Sequence, residues 1–146
     1  MSSSLIFVLH LGSTLYMVGL IWFVQLVHYP LHAWVGEQTF AQYQQNHMQW
    51  TSLAVGPAML IEAATTFFLF LYPTQNLPSW GFLIGIVLLA IVWLSTAFLQ
   101  VPAHNQLLQS FHTTAHSTLV WSNWIRTFAW TARGVLVLWL TLQLIK

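Results

Sequence analysis

The sequence predicts an all-α fold, an integral membrane bundle of four antiparallel helices, on three observations. Only 3% of its 146 residues are charged, while 58% are hydrophobic and 16% aromatic. A domain with a water-facing surface carries about 25% charged residues. Four apolar stretches each reach the roughly 20 residues that a helix needs to cross about 30 Å of hydrocarbon. Prolines at positions 30, 73, 78 and 102 fall just outside those stretches, where they end a helix without exposing backbone to lipid. The same composition excludes an ordinary soluble enzyme and a disordered tail. A net charge of +1 leaves no field for phosphates and so no nucleic-acid partner. The absence of cysteine excludes disulfides, thiolate metal sites and a cysteine nucleophile.

The first span is expected over residues 5–28. The segment MSSSL before it lacks the basic region of a signal peptide, and the apolar run is too long for one, so this span is expected to be retained. The second span covers 51–71, the third 80–100 and the fourth 118–144. The connection from Tyr29 to Trp50 is the longest and is polar. Its core, EQTFAQYQQNHMQW, reads as an interfacial helix or an extension of the second span. The other connections are short, and no internal repeat or linker is visible, so the chain forms one domain, residues 1–146. Tryptophans near the span ends fit an interfacial aromatic belt. Lys146 at the C-terminus, with no Lys or Arg in the first and third connections, places both termini in the cytoplasm by the positive-inside rule.

This topology has a chemical consequence. Alternating spans bring the Tyr29–Trp50 and Val101–Ser117 connections to one side, and with them His28, His32, His47, His104, His112 and His116. That side lies opposite the termini. Imidazole ligates metals and haem, so helix ends could together supply a ligand set. His28, His47 and His104, closest to the bundle ends, are the expected metal ligands, with His112 as a further cofactor contact. His32 and His116 are expected at the surface. A copper, iron or zinc ion or a haem-like tetrapyrrole would suit an all-His or His-plus-Glu site. The alternatives are hydrogen bonds to headgroups and water, a proton relay, or hydrogen bonds to a substrate.

Charges inside spans give a second signal. Glu62 lies near the middle of the second span, and Arg126 and Arg133 lie in the fourth. Each costs about 2.5–3.5 kcal/mol on insertion scales if left in lipid. They are therefore expected to face inward, with Glu62 paired to one arginine. That pair is either a clamp between the second and fourth helices or a polar floor beneath the histidines, in which Glu62 and Arg126 act catalytically and Arg133 contacts a cofactor. Helical spacing supports a shared interior face: His10, Thr14, Met17, Ile21, Gln25 and His28 recur at steps of three and four. His47, Thr51, Val55, Ala58 and Glu62 do the same, as do Asn123, Arg126, Trp130 and Arg133. Pro57 should kink the second helix. Gly81 and Gly85 permit close helix approach, either within the chain or to another subunit.

Several segments together resemble the four-helix membrane family of unknown function that includes the anthrone oxygenases. They are the opening helix running into HYPLH, the proline-bearing VGPAML, the segment VPAHNQLL after the third span, and Trp121 followed by NWIRT. The resemblance implies a four-span bundle and O2-dependent oxidation of a hydrophobic aromatic substrate. It highlights Pro102, Asn105, Leu108, Arg126 and Thr127, of which Asn105 joins the expected cofactor contacts. His104 stands where that family commonly has a polar residue other than histidine. The expected function is thus a small membrane protein with a histidine-rich metal or cofactor site at one face, an oxidoreductase if an enzyme. The alternative is an accessory structural subunit of a larger respiratory, photosynthetic or oxygenase complex. Expected partners are membrane lipids and either other membrane subunits or further copies of the chain.

Overall fold

The computed structural model describes residues 3–73 and 77–145, and among these residues it is all-helical. Four helices are long and apolar enough to cross a membrane: α1 (Ser4–His32), α2 (Glu37–Leu71), α3 (Ser79–Gln106) and α4 (Thr113–Ile145). Each contains its expected span and overruns it. The polar run before Trp50 is the start of α2, an extension of the second span. Its buried side chains, Phe40 and Gln44, recur at helical spacing and anchor it to the rest of the molecule. Lys146, on which the expected orientation rests, lies outside the described residues.

Pro30 and Pro102 depart from expectation, because both lie inside a continuous helix. In an α-helix the proline ring meets the carbonyl four residues back and removes a hydrogen bond. Here each proline is preceded by a π-helical turn, Val24–His28 in α1 and Thr96–Gln100 in α3. The N–H groups of Tyr29 and Val101, each just before the proline, bond carbonyls five residues back, at Val24 and Thr96. The wider turn shifts the ladder and lets the helix continue past the ring. The element that follows is the same in both helices: Tyr29-Pro30-Leu31-His32 and Val101-Pro102-Ala103-His104. The chain therefore carries one short structural repeat, which sequence inspection did not reveal.

Three apolar layers stack along the helices. Ile6, Phe7, Leu69, Phe82 and Leu140 form one end. Met17, Ile21, Met59, Val92 and Trp130 form the middle. Tyr29, Phe40, Ala103, Leu107, Ala115 and Leu119 form the other end. Small residues set the closest approaches. A Cβ on Gly134 would lie 2.9 Å from a Val18 methyl, and one on Gly81 would lie 3.2 Å from Leu140. Gly85 serves Arg133, which donates a hydrogen bond to its carbonyl oxygen. The Gly81 and Gly85 spacing is thus used within the chain, between α3 and α4.

Candidate functional site

Between the middle layer and the Tyr29 end lies a cavity of about 390 Å³ lined by all four helices. Its walls are mainly apolar, with Met17, Ile21, Val55, Met59, Trp93 and Trp130 among them. Polar side chains border it at Tyr29, His47, Gln100, His104 and Arg126. Ligand sites of about 300–1,000 Å³ have this make-up, apolar walls with a few convergent polar groups.

The two π-turn elements build the polar end. Gln44 of α2 reaches both of their histidines. Its Oε1 only accepts, so His32 Nε2 donates to it over 3.0 Å. Its Nε2 donates to His104 Nδ1 at 3.1 Å and to the His104 carbonyl at 3.0 Å. The neutral His104 ring then carries its proton on Nε2, which points at the Tyr29 hydroxyl over 3.3 Å. Tyr29 in turn donates to Gln100 Oε1 at 3.0 Å. Arg126 Nη2 also donates to Gln100 Oε1, at 3.2 Å, and to the Tyr29 hydroxyl at 3.4 Å. Beyond Arg126 the chain of hydrogen bonds continues through Asn123, whose Nδ2 donates to Gln25 Oε1 at 2.8 Å. One connected polar network therefore runs from His32 to Gln25, with Tyr29, His104, Gln100 and Arg126 bordering the cavity on the way.

The expected His28, His47 and His104 gather, joined by His32 and His116, while the His112 side chain bonds Ser110 instead. His28 stacks on His47 with ring centroids 4.4 Å apart and planes at 19°. His47 lies 5.1 Å from His104 and 5.7 Å from His32. His116 lies 5.6 Å from His32 and bonds the Tyr29 carbonyl through Nε2 at 2.9 Å. His32 is fully buried and His116 partly so, which corrects their expected surface positions. The reason is the extension of α2, which covers His32 with Phe40, Tyr43 and Gln44. His112 and Asn105 are exposed, and the His112 ring bonds the Ser110 hydroxyl. His28, His47 and His104 meet partly through ring faces. No group of three His, Asp or Glu side chains among the described residues is arranged to hold a metal ion. Two buried nitrogens of the cluster, His28 Nε2 and His32 Nδ1, have no hydrogen-bond partner.

Glu62 belongs to a separate buried cluster, outside the cavity wall. Its Oε1 accepts from Arg133 Nε at 2.8 Å and from Thr14 at 3.1 Å, and its Oε2 accepts from Trp130 Nε1 at 3.0 Å. Arg133 also donates to Thr66 at 3.0 Å and to the Gly85 carbonyl. Of the two pairings open to Glu62, the structure therefore has Arg133, joining α2 to α4. His10 lies nearby, bonded to Thr65 across 3.1 Å.

Gln44, Tyr29 and Gln100 are polar residues that sequence reasoning did not single out, whereas Gln25 stood in the interior stripe of the first helix. Gln100 carried a signal: it ends the most apolar of the four spans, and a long amide there needs a partner. No family model, curated protein or solved structure matches the chain.

Proposed function

We propose that the chain is a four-span membrane protein, an antiparallel bundle, that takes a hydrophobic small molecule into its cavity and works on the molecule's polar end with the histidine cluster. The observation that carries this reading is the cavity itself. A space of about 390 Å³ with apolar walls ends on the Tyr29 hydroxyl and the imidazoles of His47 and His104. An apolar body fits the walls, and an oxygen-bearing group on it meets donors and ring nitrogens. His47 is held by Thr51, its Nδ1 at 3.0 Å from the hydroxyl oxygen. An imidazole so placed can exchange a proton with a bound O–H or an activated C–H group. Removing the C–H proton leaves a carbanion that O2 can oxidise, converting CH2 to C=O with release of one water, which is the kind of aromatic oxidation that the family resemblance implies; on this reading the protein is an oxidoreductase. The histidine end lies opposite the termini, both of which are cytoplasmic in this reading.

The test is purification from native membranes in mild detergent. Solvent extraction with mass spectrometry, an absorption spectrum and elemental analysis are then run on the same sample. An apolar, oxygen-bearing molecule at about one per chain is expected. A haem band, or copper, iron or zinc at full stoichiometry, would overturn it and make the histidines ligands. Finding none of these would remove the binding reading.

A further inference from the structure

The chain contains two acidic residues, Glu37 and Glu62, and no aspartate. Glu62 is consumed by Arg133, and Glu37 is exposed in the first turn of α2. Arg126 is buried at 8% exposure and lines the cavity, yet it has no carboxylate partner among the described residues. Its contacts are neutral: Asn123 Oδ1 from Nε at 3.0 Å and from Nη2 at 2.5 Å, Thr96 at 3.4 Å, Gln100 at 3.2 Å and Tyr29 at 3.4 Å. The guanidinium also lies 6.0 Å from the centroid of the Trp130 ring. That indole in turn bonds Glu62, so it stands between the free cation and the neutralised pair.

An arginine stays charged under all conditions relevant here. Neutral acceptors satisfy its hydrogen bonds but do not cancel its charge, and a cation in a medium of low dielectric strongly favours an anion nearby. The Glu62–Arg133 pair sums to zero, which leaves the cavity's polar end with one net positive charge. The cavity is the open space beside that charge.

Resting on the binding reading above, we infer that the cavity's ligand is an amphiphilic anion, an apolar body ending in one carboxylate or phenolate oxygen group that serves as the counter-ion of Arg126. Tyr29 and the imidazoles of His47 and His104 border the space that group would occupy. Two sources share this chemistry, a free fatty acid from the bilayer and an acidic aromatic phenol.

The test uses the full chain in lipid nanodiscs and two matched probe pairs, titrated by calorimetry. The first pair is dodecanoic acid and its methyl ester. The second is 2-hydroxyanthraquinone, above the pH at which it ionises, and its methyl ether. In at least one pair the anion is expected to bind about tenfold or more tightly than its neutral counterpart. The pair showing the preference identifies the source. Arg126→Gln should abolish the preference, and Arg126→Lys should retain part of it. Should Arg126→Gln fail to fold, the wild-type comparison alone decides. Equal binding of anion and neutral counterpart would overturn the inference while leaving the binding reading intact. If no probe binds, both fall.

Discussion

At the residue scale, the buried Glu62–Arg133 pair is the interaction with the highest stakes for stability. Both side chains are almost fully buried, and Glu62 is held by three donors from α1 and α4. Removing one partner leaves the other charge without compensation, a loss of about 3–5 kcal/mol. Glu62→Gln is therefore expected to lower the unfolding free energy in detergent by that amount. In a double-mutant cycle with Arg133→Met, the double variant should lose clearly less than the two single losses combined. Additive losses would mean that the two side chains act independently. The pair was half legible in sequence: an isolated carboxylate and two arginines inside spans demand pairing, but depth alone did not choose between Arg126 and Arg133. The choice is made by Gly85, whose carbonyl takes a hydrogen bond from Arg133, and by Thr66. Neither carries a sequence signal of that role. His32 was misplaced for a related reason, since its burial depends on Phe40 and Gln44 arriving from a helix that polarity had made look interfacial.

At the scale of elements, hydropathy located the four long apolar helices, because a helix is the structure in which a long apolar run closes its own backbone hydrogen bonds. It stopped short at their ends, where polar side chains turn inward instead of marking a boundary. The π-turns before Pro30 and Pro102 were not legible. A proline in sequence is compatible with a stop, a kink or a shifted ladder, and the choice rests on packing. These turns matter for the site, since each sets the direction in which a following histidine, His32 or His104, meets Gln44. The helix seams give a direct check. Any side chain on Gly134 points into the stiff, branched Val18. Gly134→Val should cost about 1–3 kcal/mol by overpacking the contact of α1 with α4. Gly85→Ala should be close to neutral, because the nearest atom to a Cβ there lies at 3.8 Å. Thermal unfolding of the two variants side by side separates them, and equal melting temperatures would contradict the described seam.

At the scale of the whole molecule, two polar clusters sit in an apolar body. The Glu62 cluster ties α1, α2, α3 and α4 together, while the Gln44–Tyr29–Arg126 network borders the cavity. The first is closed by hydrogen bonds within the protein. The second opens on a space large enough for a ligand. If the four helices cross a bilayer with the histidine end away from the termini, Ser4 and Ser110 lie on opposite sides. The chain has no native cysteine, so Ser4→Cys and Ser110→Cys can each be labelled without background. A membrane-impermeant maleimide applied to intact cells should modify position 110 and leave position 4 unmodified until the membrane is opened. Labelling of both, or of position 4 alone, would contradict this topology.

Whether the cavity holds a hydrophobic molecule can be read by filling it. Gly56 lines the cavity, and a Cβ there meets nothing within 4 Å. Gly56→Leu is therefore expected to occupy part of the space. Native mass spectrometry of the wild-type protein is expected to show about one bound apolar molecule per chain, and of Gly56→Leu, with unchanged thermal stability, none. Equal occupancy of the two proteins, or no bound molecule in either, would contradict the account.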